Sequence, residues 1–170
     1  ISACNNNRSS FKTEWTNADI PDLEGRTIVI TGANSGLGLE STRNLARARA
    51  TVIMACRNAE KATQAVADIR ASVPDAQIVV QQLDLASLGS VRSFSEALLT
   101  AGTPIDILMN NAGLMALDES RTVDGFETQI GVNHLGHFAL TGLLLPLVAA
   151  APKGRIVAVS SDGHRPGKIH

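Results

Sequence analysis

The sequence predicts an α/β fold built on a doubly wound parallel sheet. Three observations favour it: short apolar runs recur along the chain, amphipathic stretches separate them, and a glycine-rich turn follows the first run. Strands that are buried on both faces read as continuous apolar runs, and helices that return the chain between them make right-handed crossovers. This alternation is typical of a domain with helices on both faces of its sheet.

Five apolar runs rich in β-branched residues predict the strands. They cover residues 27–31, 51–55, 78–82, 105–109 and 155–160. Helical periodicity predicts residues 36–49, residues 59–72, a helix lined by Val91, Phe94, Leu98 and Leu99, and two helical stretches within residues 123–150. Pro146 predicts a kink or an early end in the last of these helices, because proline lacks the amide that the helix needs.

The composition indicates a globular chain and argues against several kinds of partner. Hydrophobic residues make up 44% of the chain and charged residues 18%, and the net charge is −1. This balance argues against a broad surface for nucleic acid or anionic membranes. The longest apolar stretch, residues 142–151, is too short to span a bilayer. We therefore expect no nucleic-acid partner and no membrane span. The cysteine usage described next leads us to expect a cytoplasmic location.

Cysteine and histidine spacing predicts no metal site and no disulfide. The chain has two cysteines, Cys4 and Cys56, and neither belongs to a CxxC motif. His134 and His137 could share a helix face, but no third ligand accompanies them. Residues 1–20 are polar without a sustained period and are predicted to be an N-terminal extension, and residues 21–170 are predicted to form the domain.

The segment TGANSGLG at residues 31–38 lies directly after the first strand and opens the first helix. Glycine lets the backbone approach a pyrophosphate closely, and free amides at a helix start attract an anion. The motif predicts dinucleotide contacts from Gly32, Asn34, Ser35, Gly36, Leu37 and Gly38. Asn34 and Ser35 can also cap the helix amides. An ordinary strand-to-helix turn is the alternative interpretation.

The end of the second strand favours NADP(H) over NAD(H). A carboxylate at this position would bind the ribose 2′-hydroxyl of NAD, but no carboxylate occurs before Glu60. Arg57 follows the strand instead, and its guanidinium suits a 2′-phosphate. Lys61 is a candidate helper. The alternative is that Arg57 and Lys61 are solvated surface residues.

Four further motifs follow the later strands in a fixed order. They are Asp84-Leu85, Asn110-Asn111-Ala112-Gly113, Val132-Asn133-His134 and Val159-Ser160-Ser161. With the glycine motif, this series resembles the short-chain dehydrogenase/reductase family over residues 25–170. The segments ACRN at residues 55–58 and SSDGHR at residues 160–165 are similar to its retinol-dehydrogenase-like branch, which also resembles the protochlorophyllide reductases.

The resemblance implies a Rossmann domain that transfers hydride between a nicotinamide and a carbonyl or alcohol substrate. It assigns cofactor contacts to Asp84, Leu85, Asn111, Ala112 and Gly113. It implies that Asn133 anchors a water of the proton relay, and that Ser161, or its neighbour Ser160, hydrogen-bonds the substrate oxygen. It also implies a small-molecule substrate and homo-oligomers formed through helices.

Two departures from the family pattern are visible. Arg49 stands where the family usually has a glycine at the end of the first helix, so a left-handed cap there would cost on the order of 1 kcal/mol. The Tyr-x-x-x-Lys motif that follows the serine in the family is absent, and the chain contains no tyrosine. We expect a fragment whose sheet is incomplete on its C-terminal side and which is inactive alone. A non-catalytic dinucleotide-binding protein or pseudo-enzyme is the alternative.

Overall fold

The computed structural model describes residues 15–161, and these form a parallel five-stranded sheet. The strands are β1 (Thr27–Thr31), β2 (Thr51–Cys56), β3 (Ile78–Gln82), β4 (Ile107–Asn110) and β5 (Arg155–Ala158). Their spatial order is β3-β2-β1-β4-β5, and each neighbouring pair is parallel. The chain leaves β1 toward β2 on one side and later returns to place β4 on the other, so the strand order reverses beside β1. The predicted doubly wound fold is confirmed.

Helices fill the crossovers between the strands. They are α1 (Gly36–Arg47), α2 (Ala59–Ser72), α3 (Leu88–Ala101), α4 (Thr128–Ile130) and α5 (His137–Ala150), with a π-helical segment (Gly131–Gly136) joining the last two. A short 3₁₀ turn, Asn17–Asp19, precedes β1. Asn58 and Ser87 cap α2 and α3 by accepting hydrogen bonds from helix amides, as short polar side chains do at helix starts.

Two apolar cores cover the two faces of the sheet. Alternate residues of β1 point to opposite faces, so Val29 belongs to one core and Ile28 to the other. The first core packs α3 and α5 on the sheet, with Phe94 and Leu140 fully enclosed. The second packs α1 and α2 on the sheet, mostly through small alanines and Ile69. Both cores support the loops at the strand ends.

The start of β4 differs from the prediction of residues 105–109. The Ile105 amide donates to the Leu147 carbonyl (3.0 Å) instead of joining the sheet ladder. Asp106 still bonds to both neighbouring strands, because its amide donates to the Thr27 carbonyl (2.8 Å) and its carbonyl accepts from the Arg155 amide (2.9 Å). Its carboxylate also accepts from Arg26 Nη1 (2.6 Å) and from the Thr27 amide (2.9 Å). The contact with α5 therefore keeps Ile105 out of the strand, which begins at Ile107.

Helix α1 ends at Arg47 rather than at residue 49 because Arg49 adopts a left-handed conformation, with φ of 74°. Arg49, which stands where the family usually has a glycine, thus adopts the left-handed conformation that costs a non-glycine residue free energy. Ion pairs accompany it: the Arg49 guanidinium contacts Asp22 (3.3 Å) and Glu24. These exposed pairs offset part of the backbone strain.

The helix that contains Pro146 continues to Ala150, so the expected early end is wrong. Pro146 and Gly142 are both exposed, so the Gly142 carbonyl that loses its helix partner can be hydrated instead. The continuous helical run Thr128–Ala150 is, by length and composition, long and apolar enough to cross a membrane. Its buried residues, among them Leu140 and Leu144, pack in the first core.

Within residues 15–161 no strand pairs with the outer edge of β5, as the sequence led us to expect. All four residues of this strand are exposed, including Ile156 (42%) and Val157 (40%). An apolar edge strand with unpaired backbone groups is a template for further strand pairing. β5 therefore presents a surface that a further strand and its packing elements would cover.

Candidate active site

Two adjoining cavities open at the carboxyl ends of the strands, where ligands bind in doubly wound sheets. The first cleft, of about 560 Å³, lies over the ends of β1, β2 and β3. The second cavity, of about 650 Å³, lies between β4, β5 and α5. The two cavities adjoin along residues that line both, four from the segment that follows β4 and one that follows β5. The shared residues are Asn111, Ala112, Gly113, Leu114 and Val159.

Most of the residues predicted to contact a dinucleotide line the first cleft. They are Gly32, Asn34, Ser35, Leu37, Arg57, Asp84, Leu85, Asn111, Ala112 and Gly113. Gly36 and Gly38 lie in the same loop but are not among the lining residues. The cleft also has lining residues for which the sequence predicted no contact, namely Ala55, Asn58, Leu83, Leu114, Val132 and Val159. All of these except Asn58 are apolar, and apolar residues that line a cleft could not be separated from core residues in the sequence.

The glycines of the loop serve different purposes. Gly38 is buried, and a Cβ there would lie 2.4 Å from the Gly32 carbonyl oxygen and 2.6 Å from Asn111 Nδ2. Gly32 has φ of 64°, and a Cβ there would lie 2.9 Å from the Cα of Ala112. Gly36 has φ of 51° but faces open space. Gly38 and Gly32 thus allow tight packing of the loop, and Gly36 provides its turn.

The start of α1 is available to a ligand. Ser35 occupies the N-cap position in an extended conformation, but its side chain makes no cap hydrogen bond. The predicted capping by Ser35 is therefore wrong. Since the first amides of a helix have no partner within the helix, they remain free to bind an anion. This arrangement fits a diphosphate.

Two cations border the same cleft at the end of β2. Arg57 and Lys61 both line it, and both are exposed. Asn58 lies between them in the chain and holds the turn by accepting from the Lys61 amide (2.8 Å). Within residues 15–161, neither the Arg57 guanidinium nor the Lys61 ammonium has a hydrogen bond or an ion pair. Both positive charges are thus available for an anionic group in the cleft.

Asp84 and Leu85 form the wall of the cleft beyond β3. The Asp84 amide donates to Ser90 Oγ (2.9 Å), and the Asp84 carboxylate accepts from the Ala86 amide (2.9 Å). Leu85 is buried, and its carbonyl would lie 2.5 Å from a Cβ on Gly136. This wall is therefore rigid and packs closely on the π-helical segment.

The segment after β4 is fastened to the end of β1. The Thr31 hydroxyl accepts from the backbone amides of Asn111 and Ala112, at 2.9 Å each. The Asn111 side chain donates back to the Thr31 carbonyl (2.8 Å). These bonds place residues 111–113 between the two cavities, where the resemblance predicted cofactor contacts.

Asn133 lies in the second cavity on the π-helical segment. Its side chain pairs with the backbone of Leu114: the Leu114 amide donates to Oδ1 (2.9 Å) and Nδ2 donates to the Leu114 carbonyl (2.8 Å). Glu127 begins the helical run by accepting from the amides of Gln129 and Ile130. These amide hydrogen bonds lower the pKa of the Glu127 carboxyl. The helix cap made by Glu127 and the two hydrogen bonds between Asn133 and Leu114 together fix the position of Asn133.

Ser160 and Ser161 line the second cavity together with Asn133, so the structure brings both candidate catalytic residues to one site. The neighbouring wall is mixed, with apolar side chains beside two histidines. These residues are Leu114, Met115, His134, His137, Phe138 and Ile156. Such a lining suits a substrate with an apolar body and a polar reacting group.

The histidines have different environments. His137 is buried, whereas His134 is exposed and contacts the ring of Phe138, with centroids 6.3 Å apart. Among the residues that the structure describes, no three His, Cys, Asp or Glu side chains lie together as a group that could hold a metal ion. The sequence did not reveal the burial of His137.

The short chain dehydrogenase family model matches residues 26–169. Retinol dehydrogenase 12 of Mus musculus is 47% identical over 154 residues, and the match covers 91% of this chain and 48% of that protein. Retinol dehydrogenase 14 of Mus musculus is 46% identical over 158 residues and is covered to 47%. The chain thus spans about half the length of these relatives.

Solved structures share the same architecture. An uncharacterized protein from Mycobacterium paratuberculosis superimposes with a TM-score of 0.80 at 50% identity, over 93% of this chain and 54% of that one. A chain of Escherichia coli CFT073 described as a short chain dehydrogenase and complexed with NADPH gives a TM-score of 0.73 at 29% identity, over 86% of this chain and 63% of that one. Motifs, fold and relatives agree. The chain belongs to the short-chain dehydrogenase/reductase family, in its retinol-dehydrogenase-like branch.

Proposed function

We propose that the protein is an NADP(H)-dependent oxidoreductase that interconverts a carbonyl and an alcohol. The observation that carries this proposal is the pair of unpaired cations, Arg57 and Lys61, at the edge of a cleft with an open helix start. The structure with NADPH, at 29% identity, shows that a member of the same fold takes this cofactor. The chain spans about half of its retinol dehydrogenase relatives, so the reaction is proposed for the whole protein.

The residues present fit such a cofactor. The diphosphate would lie at the amides that begin α1, where Gly32 and Gly38 keep the loop close to the sheet. Arg57 would bind the 2′-phosphate through its guanidinium fork, and Lys61 would add a second positive charge. Asp84 and Leu85 would border the adenine. Bound there, the nicotinamide would supply or accept the hydride.

The second cavity would hold the substrate. Ser161 would hydrogen-bond the reacting oxygen, with Ser160 as its neighbour, while Asn133 would hold the proton-relay water. The apolar side chains of Met115 and Phe138 would contact the apolar body of the substrate. General acid–base catalysis needs a group whose proton can move at neutral pH, and the family's tyrosine has no counterpart among these 170 residues.

A second candidate function is dinucleotide binding without turnover. Dinucleotide binding needs only the first cleft, the open start of α1 and the two cations beside it. One assay distinguishes these two candidate functions. It follows NADPH oxidation by the 170-residue chain in the presence of small aldehydes and retinal. We expect binding without oxidation. Measurable oxidation would show that the chain has another proton donor.

Cofactor titration tests the binding proposal. NADPH fluorescence should change at micromolar protein concentration, and Arg57→Asp should weaken NADPH binding by about 10–100-fold, since charge-assisted hydrogen bonds are worth about 1.5–3 kcal/mol. Binding of NADH should not weaken, because it lacks the 2′-phosphate. Arg70→Asp is the matched control: Arg70 is an exposed arginine of α2 that does not line the cleft. An unchanged preference for NADPH in the Arg57 variant would remove Arg57 from this role.

A further inference from the structure

His137 is the one buried histidine among the residues that the structure describes, and the proposed chemistry does not use it. Its ring spans the gap between β1 and the π-helical segment. Nε2 lies 2.8 Å from the Thr31 hydroxyl, and Nδ1 lies 3.1 Å from the Asn133 carbonyl oxygen. The His137 side chain thus contacts Thr31, which holds residues 111–112 between the cavities. It also contacts Asn133, which is assigned to the proton relay.

Counting hydrogens around Thr31 decides the protonation of the ring. A threonine hydroxyl has one hydrogen and two lone pairs. Both lone pairs accept, because the amides of Asn111 and Ala112 donate to this oxygen. The hydroxyl hydrogen must therefore point to an acceptor, and His137 Nε2 at 2.8 Å is much nearer than the Met109 carbonyl at 3.5 Å.

The other ring nitrogen faces only an acceptor. The Asn133 carbonyl oxygen has no hydrogen, so Nδ1 must donate to it. The ring then carries its proton on Nδ1 and accepts at Nε2. An imidazolium would turn Nε2 into a donor toward an oxygen whose lone pairs are both occupied. Burial also lowers the pKa of His137, which agrees with a neutral ring.

We propose that His137, as the neutral Nδ1–H tautomer, is a positioning residue that links the two cavities. Through Thr31 it holds residues 111–112 against the first cleft, and through the Asn133 carbonyl it holds the residue that faces the second. The positioning role rests on the proposed function, whereas the hydrogen-bond link itself does not.

The tautomer can be measured directly. Nitrogen-15 spectra of histidine-labelled protein should show, for His137, a protonated Nδ1 and an unprotonated Nε2 at pH 7. Comparison with His137→Phe assigns the signal. A protonated Nε2, or an imidazolium at this pH, would overturn the proposal, because neither can accept from Thr31. This readout is independent of any cofactor.

The positioning role is tested by NADPH affinity in a mutant cycle. His137→Phe keeps the ring volume and Thr31→Val keeps the β-branched shape, but each removes the hydrogen bond. We expect His137→Phe to weaken NADPH binding about tenfold, and Thr31→Val to weaken it at least as much, because valine also removes the acceptor of the Asn111 and Ala112 amides. The double variant should be no weaker than Thr31→Val, since the bond between Thr31 and His137 is lost in all three. Thr31→Ser retains the hydroxyl and should bind like the wild type.

Ser95→Ala controls for stability alone. Ser95 is a buried hydroxyl of α3 that donates to the Val91 carbonyl (2.8 Å) and lines neither cavity. It should leave NADPH affinity unchanged. Additive effects in the cycle, or wild-type affinity in a folded His137→Phe variant, would overturn the positioning role. If the wild-type protein does not bind NADPH, the proposed function and the positioning role both fail. The nitrogen-15 measurement of the tautomer would still test whether His137 links Thr31 to the Asn133 carbonyl.

Discussion

The side chain of Asn133 and the backbone of Leu114 form a cyclic pair of hydrogen bonds, with donor–acceptor distances of 2.9 and 2.8 Å. Leu114 belongs to the segment after β4, and Asn133 belongs to the π-helical segment before α5. The pair therefore joins two elements that line the same cavity. An amide side chain suits this position because it both donates and accepts, whereas a carboxylate can only accept.

Replacing Asn133 should loosen this connection. We expect Asn133→Ala to lower the free energy of unfolding by about 1–2 kcal/mol, for two neutral hydrogen bonds. Asn133→Asp should be at least as harmful, because a carboxylate oxygen would face the Leu114 carbonyl. Urea unfolding measures both variants. Gln129→Ala, at another cavity-lining side chain, is the control, and equal stability of the Asp variant and the wild type would contradict the pairing.

Gly38→Ala should damage the glycine loop severely. The added methyl would meet the Gly32 carbonyl oxygen at 2.4 Å, and backbone atoms cannot move aside cheaply. We expect a loss of about 3 kcal/mol in unfolding free energy and loss of NADPH binding. Gly142→Ala is the matched control, because that site in α5 is open and helical. It should gain about 0.5–1 kcal/mol. Comparable stability of the two alanine variants would refute the packing argument.

The sequence predicts the sheet and most of the first cleft because both depend on local patterns. The apolar runs predict the bounds of β1 and β3 without error. Because the carboxyl ends of parallel strands meet at one edge of the sheet, Arg57 and Asp84 lie in one cleft. Contacts between distant residues are not encoded locally. The Ile105 amide, for example, donates to the Leu147 carbonyl of α5 and not to a neighbouring strand, and no local pattern predicts that contact.

The parts of the site that were missed have the same cause. Thr31 and His137 are 106 residues apart, and only the fold brings the hydroxyl to the ring. In the sequence, His137 is a histidine beside other polar and apolar residues of a helix, without a signal for burial. Ser35 has the residue type and position of an N-cap, but its side chain does not bond the helix amides. Residue type predicts which bonds are feasible, and tertiary geometry selects among them.

Glycine at position 49 should relieve the strain at the end of α1. Arg49→Gly removes the left-handed penalty of about 1 kcal/mol, and it loses only exposed ion pairs with Asp22 and Glu24. Arg49→Ala loses the same pairs but keeps the strain. We therefore expect the glycine variant to exceed the alanine variant by about 1 kcal/mol in unfolding free energy. Ala48→Gly, where φ is −80°, should be destabilising. The opposite ranking at position 49 would exclude backbone strain as the dominant effect.

Stability should fall as the pH is lowered through the range in which His137 titrates. Burial lowers its pKa in the folded protein, while the unfolded chain titrates near the ordinary value of about 6.5. Between these two values the unfolded state binds more protons, so acid favours unfolding. The contribution is complete above the unfolded pKa and is lost as pH falls toward the folded one, with a slope of at most about 1.4 kcal/mol per pH unit.

Comparing the wild type with His137→Phe separates the pH dependence of stability that His137 causes from the pH dependence that the carboxylates cause. Urea unfolding of the wild type and of His137→Phe should be measured from pH 8 to pH 5. The difference in unfolding free energy between the two should shrink steadily below about pH 7. Ser95→Ala removes a buried hydroxyl that bonds the Val91 carbonyl and not the His137 ring, and it should keep the wild-type slope. A difference that is constant over this range would mean that folded and unfolded His137 take up protons equally, which a ring enclosed between Thr31 and Asn133 cannot do.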